Sequence, residues 1–115
     1  MAADFREINL ELGKPTVDEA LRKLRFEIDH SRQLGCTAVK LIHGYGSHGV
    51  GGKIRIASRR CLLQMKTGGA IRDMIPGEEF SIFNEATLQA FRCCDALRQD
   101  EDRERYNNGI TIVIL

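Results

Sequence analysis

His43 and His48 stand in a run, His43 to Gly52, in which five of the ten residues are glycine. Glycine lets backbone N–H groups come close to an anion, and an imidazole beside a phosphate can donate a hydrogen bond or act as acid or base near neutral pH. The run leads into a segment bearing Lys53, Arg55, Arg59, Arg60 and Lys66. If that segment is a helix, its N-terminus adds partial positive charge at the loop. The chemistry this suggests is a phosphate cradle. Its contacts would come from Gly44, Gly46, Ser47, Gly49, Gly51 and Gly52 in the loop and from Lys53, Arg55, Arg59 and Arg60 beyond it. Tyr45 could stack on a base or fold against the core edge. His43 could equally be structural, tying its ring to the loop backbone, and His48 could be a solvated loop residue. His30 reads as a surface histidine.

Two nucleotide-binding motifs fail here. The Walker A pattern would need glycine at Ser47 and a hydroxyl at Ile54. G-x-G-x-x-G fits Gly44, Gly46 and Gly49, but the carboxylate for a ribose should follow about 20 residues on, and the first after the loop is Asp73. The surroundings favour polymeric phosphate. The net charge is only +1, yet no carboxylate lies between Asp29 and Asp73, where Arg32, Lys40, Lys53, Arg55, Arg59, Arg60, Lys66 and Arg72 all fall. Such asymmetry predicts a basic face that meets a polyanion. The other reading is that these cations pair with the acids of Glu78–Glu104 across the fold.

The positioning elements follow from periodicity. Ile8–Leu12 alternates as a short strand, ended by Gly13-Lys14-Pro15. Thr16 to Glu19 has capping-box form, and Val17, Ala20, Leu21, Leu24 and Ile28 make one helical stripe that Gly35 terminates. Cys36–Ile42 reads as a covered strand. A second helix from about Lys53 to Lys66 buries Ile54, Ala57 or Ser58, Cys61, Leu62 and Met65, leaving its arginines for solvent or ligand. Ala70–Ile75 is a third strand, and Asn84 caps a third helix through Leu88, Phe91, Cys94 and Leu97. Gln99–Asn108 reads as a solvated turn of helix and loop. The closing run ITIVIL is apolar enough to require an interior strand. The first two helices should share one face of the sheet.

At 115 residues this is one domain, 1–115, with a core from about residue 8 onward. Cys36, Cys61, Cys93 and Cys94 lack C-x-x-C spacing and read as reduced thiols, not zinc ligands. MAADFREI has no secretory character and no run approaches a membrane span, so a soluble, cytoplasmic protein is expected, with no metal and no cofactor.

LIHGYGSHGVGG before a basic helix, TVDEA opening the first helix and GITIVIL at the end together resemble the small MutS-related (Smr) domain. The segment IPGEEFSIFNEAT looks like that of its short, single-domain bacterial members. The resemblance implies a two-layer α/β sandwich with a mixed four-stranded sheet, similar to the C-terminal domain of translation initiation factor 3. It also implies nucleic-acid binding and, in many members, cleavage without an established metal requirement. Members include DNA-nicking endonucleases and endoribonucleases, some acting at stalled ribosomes. The family's first motif, L-D-x-H, aligns with Leu10-Glu11-Leu12-Gly13, so glutamate replaces the aspartate and glycine the histidine. Glycine cannot transfer a proton. The expectation is therefore a domain that binds RNA or DNA, with cleavage lost or carried by a rearranged set of His43, Glu11, His48 and Arg60. The alternative is a working metal-independent endonuclease.

Overall fold

The computed structural model describes residues 4–45 and 50–115, with the backbone alone for Val50 and Gly51. Strands β1 (Phe5–Asn9), β2 (Ala38–Ile42), β3 (Asp73–Pro76) and β4 (Ile110–Ile114) form one mixed sheet in the order β1-β2-β4-β3. β1 runs parallel to β2, while β4 is antiparallel to both β2 and β3. The apolar last strand is thus interior, as its composition requires, and all five of its residues are buried.

Helices α1 (Val17–Gln33) and α2 (Val50–Thr67) lie together on one face. Leu24 and Ile28 of α1 and Cys61 and Leu62 of α2 meet Ile8, Val39, Leu41 and Val113 from the sheet. Each such Leu or Ile contributes about 1.5–3 kcal/mol on burial. The cap of α1 forms as its sequence demands: Glu19 N–H donates to Thr16 Oγ1 (3.2 Å) and Thr16 N–H to Glu19 Oε1 (2.9 Å). Gly35 takes a φ of +85° just past the helix, where a Cβ would be strained.

The opposite face is covered by α3 (Glu85–Cys93) and the 3₁₀ turns Gly77–Glu79 and Asp95–Gln99. Phe80, Phe91 and Leu97 pack there on Ala38, Ile75, Ile110, Ile112 and Ile114. Asn84 caps α3, its Oδ1 accepting from Thr87 N–H (2.9 Å). The β-strand alternation assigns successive residues of β2 and β4 to the two clusters, so both faces of these strands are apolar.

Several boundaries differ from the sequence expectation. β2 begins at Ala38, two residues late, and the third helix stops at Cys93, where Cys94 turns extended, so Leu97 falls in the following 3₁₀ turn and Leu88 is left exposed. β1 begins and ends about three residues earlier, because Asn9 Oδ1 accepts from Glu11 N–H (2.9 Å) and turns the chain out of the sheet. Leu10 stays buried beyond the strand, still donating its N–H to Ile42 O (2.7 Å). β3 begins only at Asp73, which pairs with Lys66 (2.9 Å). α2 begins at Val50, which places Gly51 and Gly52 in its first turn instead of in the loop.

The second face also corrects the reading of Lys40 as part of a basic surface. Lys40 is 1% exposed, and its ammonium is held by Asp100 (3.1 Å), Asp102 and Glu7 (3.6 Å). Burial works to lower its pKa, but the hydrogen bonds and charges of Asp102 and Asp100 outweigh it and hold the pKa above 10.5. The Gln99–Asn108 segment is therefore anchored through Asp100 and Asp102 to the middle of the sheet. A buried cation without such partners would cost several kcal/mol.

Candidate functional site

One end of the sheet brings together His43, Gly44, Tyr45, Glu11 and Arg59. β2 runs out at Ile42, and its alternation directs the next side chain, His43, toward α2. The His43 and Gly44 N–H groups both donate to Gly109 O at 3.0 Å, which ties the start of the glycine run to the start of β4. Gly44 has a φ of +76°, and a Cβ built there would stand 3.2 Å from Glu11 Cδ and closer still to its Oε2. The dihedral angle is what requires glycine here, since the Glu11 carboxylate ends an exposed, flexible side chain that can swing aside. Glu11, in the turn just past β1, is brought against Gly44 by the fold. Tyr45 is exposed, with its ring edge against Gly109. Gly46, Ser47, His48 and Gly49 lie outside the described residues, and Gly51 is described by its backbone alone.

His43 is fully buried, and both ring nitrogens are engaged. Gly44 O can only accept, so Nδ1 carries the proton and donates to it at 2.8 Å. Nε2 then accepts from the Thr111 hydroxyl, also at 2.8 Å. Thr111 Oγ1 in turn accepts from Arg59 Nε–H at 3.1 Å. Burial pulls the His43 pKa down to about 4, opposed by the Gly44 hydrogen bond and reinforced by the charges of Arg59 and Arg55. The ring is neutral at pH 7 and works as a strut between strand, loop and Thr111.

Arg59 does not face solvent with the other arginines of α2. Its Nη1 and Nη2 form a bidentate pair with Glu78 at 2.8 and 2.7 Å. Nη2 also donates to Asn108 O (3.3 Å) and Ile110 O (3.2 Å). Burial tends to raise the Glu78 pKa, but the Arg59 hydrogen bonds prevail and leave the carboxyl below its usual value. The geometry corrects the expectation that Arg59 is left for ligand: its donors are spent inside the fold. Lys53 and Arg60 are exposed and Arg55 half-buried, and none of the three has an ion-pair partner among the described residues.

Thr111 had no part in the sequence argument, and Glu78 entered it only as the start of the acidic stretch whose pairing with the cations across the fold was the other reading, which Arg59–Glu78 and Lys40–Asp100 bear out. Thr111 did leave a signal, as the only polar side chain in an otherwise apolar interior strand. Glu78 left a weaker one: it follows Gly77, where an added Cβ would stand 2.6 Å from Ile110 Cγ1 and strike Asn107 O. That close approach puts the 3₁₀ turn, and Glu78 with it, against the start of β4. Among the described residues no group of three or more His, Cys, Asp or Glu side chains is placed to hold a metal ion. No described helix is long and apolar enough to cross a membrane.

A mixed four-stranded sheet with two helices on one face and a glycine run entering the second helix defines an α/β sandwich of a restricted kind. Residues 10–79 match the Smr domain, and the chain belongs to that family. The crystal structure of the Smr domain of Thermus thermophilus MutS2 is similar over 96% of each chain, with a TM-score of 0.58 and 22% sequence identity, which establishes the shared fold. No curated protein sequence matches the chain.

Proposed function

We propose that this domain binds nucleic acid, taking phosphates on the glycine run and the first turns of α2. The observation that carries the proposal is the division of charge on α2: Arg59 is consumed internally, while Lys53, Arg55 and Arg60 remain uncommitted beside the loop. Gly51 and Gly52 in the first turn add helix N–H groups that lack intrahelical acceptors and carry no bulky side chains over them. Gly44, Gly46, Ser47 and Gly49 would line the same path, with Tyr45 exposed at its start to stack on a base. A cleft of about 260 Å³ lined by Arg32, Cys36, Thr37, Arg72, Ile114 and Leu115 lies at the other end of the sheet. A strip of uncommitted cations along a helix suits a polymer better than a small nucleotide.

Cleavage is lost or altered in this reading. A neutral His43 with both nitrogens engaged has no proton to give near pH 7. Gly13 offers none in place of the family histidine. The second reading, an endonuclease that needs no metal, draws on the Glu11 carboxylate lying against Gly44, with His48 as the remaining imidazole.

Titration of labelled RNA and DNA oligonucleotides at two salt concentrations tests binding. Affinity should fall steeply with salt as counterions are released; affinity that ignores salt, or none at all, overturns the proposal. A nuclease assay on the same samples, with Glu11→Gln and His43→Ala as controls, separates the two readings. Cleavage that disappears in Glu11→Gln would establish the enzyme.

A further inference from the structure

Residues 100–106, DEDRERY, look acidic in the sequence and present something else to solvent. Asp100 and Asp102 turn in to the Lys40 ammonium, and the Glu104 carboxylate accepts from Ile82 N–H. The residues between and beside them, Glu101, Arg103 and Arg105, are exposed. The alternation consumes three of the four acids and sends both arginines outward. Neither arginine has an ion-pair partner among the described residues, although the charge of Arg105 reaches Asp102.

The segment ends on Tyr106, which is 65% exposed. Tyr45, 58% exposed, is the only other tyrosine in the chain, and Gly109 links the two. Tyr45 Cδ1 lies 3.2 Å from where a Cβ on Gly109 would stand. Tyr106 is three residues before that glycine, a span of at most about 11 Å.

The backbone under Tyr106 is unusual and firmly held. Glu104 and Tyr106 have φ values of +65° and +55°, a region that suits glycine or asparagine and that other residues occupy only when their surroundings hold them there. The surroundings do so. Glu104 N–H donates to Phe80 O (3.0 Å), Arg105 N–H to Asp102 O (3.2 Å) and Asn107 Nδ2 to Asp102 Oδ1 (3.0 Å). Asn107 Oδ1 accepts from Gly109 N–H (2.9 Å), and Arg59 reaches Asn108 O (3.3 Å). The ring gains little burial in return, so packing does not account for it. A ring presented on a backbone already fixed needs little further ordering on contact.

The charge around the rings indicates what they meet. Glu101, Glu79 next to Phe80 and Glu11 beside Gly44 are exposed and have no ion-pair partner among the described residues, so they offset Arg103 and Arg105. A surface so balanced adds little attraction for phosphate. What it offers is two aromatic faces, and these stack on bases, which are open to them only outside a duplex.

We propose that Tyr45 and Tyr106 are two stacking positions for the unpaired bases of a single strand whose phosphates lie on α2. The inference rests on the nucleic-acid reading of α2 and adds to it Tyr106 and the form of the strand.

Titration of the full chain with a labelled single-stranded oligonucleotide and with its duplex, each at two salt concentrations, provides the test. The single strand should bind at least about tenfold more tightly. Tyr106→Asn, which suits the left-handed backbone and removes the ring, should weaken the single strand by about tenfold and leave duplex affinity and the salt dependence unchanged. Tyr106→Phe should bind as the unaltered chain does. Ultraviolet cross-linking of a 5-iodouracil oligonucleotide to the unaltered chain is a second measurement that needs no variant to fold, and its adducts should map to Tyr45 and Tyr106. Full single-strand affinity in Tyr106→Asn, adducts only at other residues, or duplex bound as tightly as single strand overturns this inference and leaves nucleic-acid binding in place. Binding of neither oligonucleotide overturns the nucleic-acid reading and this inference with it.

Discussion

Helix α2 carries two populations of cation that the sequence does not distinguish. Arg59 turns inward to Glu78, Thr111 and two backbone carbonyls, whereas its neighbour Arg60 is exposed and Lys53 and Arg55 have no paired carboxylate among the described residues. The first population fixes the shape of the site and the second is available to a ligand. The contrast teaches that a basic stretch is not by itself a binding surface: one residue of helical rotation decides whether a guanidinium is a strut or a contact.

The sharpest way to break this distinction is Arg59→Ala. It should leave Glu78, Thr111 Oγ1 and the carbonyls of Asn108 and Ile110 short of a donor and cost about 3 kcal/mol in urea unfolding. Arg59→Ala with Glu78→Gln should cost less than the sum of the singles, because no unpaired charge is left. If Arg59→Ala is as stable as wild type, the guanidinium belongs with the ligand-facing group.

A pH series sharpens the inner side further. His43 titrates near 4 when folded and near 6.5 when unfolded, so the unfolded chain binds the extra proton as pH falls through this window. Stability is unaffected above pH 6.5 and declines below it, by about 2 kcal/mol at pH 5. His43→Gln should flatten the pH 5–7 slope. Glu78 and Asp102, whose folded values are depressed, contribute stability that is lost only at lower pH. An unchanged slope in His43→Gln would show that another group titrates there.

On the outer side, Arg55→Glu with Arg60→Glu should weaken oligonucleotide binding at least tenfold and lower its salt dependence by roughly one released ion for each phosphate no longer held. Smallest of all is the stability effect of Arg60→Glu alone, within about 0.5 kcal/mol by thermal unfolding, as for most exposed positions. A larger loss would move Arg60 into the structural group.

Much of the fold was legible in the sequence. The Thr16–Glu19 cap, Gly35, the Asn84 cap and the apolar run of β4 act through local chemistry or plain burial, which spacing reveals. What stayed hidden depends on contacts between distant segments. The fates of Lys40 and Arg59 were settled by Asp100, Asp102 and Glu78, which meet them only after the sheet has formed. Charge asymmetry along the chain suggested a face, and several of its members proved to be bonds across the fold. The Glu11 approach to Gly44 was implied only by the family resemblance, since spacing alone does not give the parallel register of Asn9 opposite Ile42 on which it depends.

The position of β4 in the sheet has a consequence for synthesis. Ile114 pairs with Ala38 and Val113 with Met74, so β2 and β3 have no common neighbour until the last described strand has emerged. On the ribosome the chain must carry an apolar, half-paired β2 until residues 110–114 have followed it out. Premature stops before Ile110 should then yield aggregation-prone fragments, not a smaller working domain.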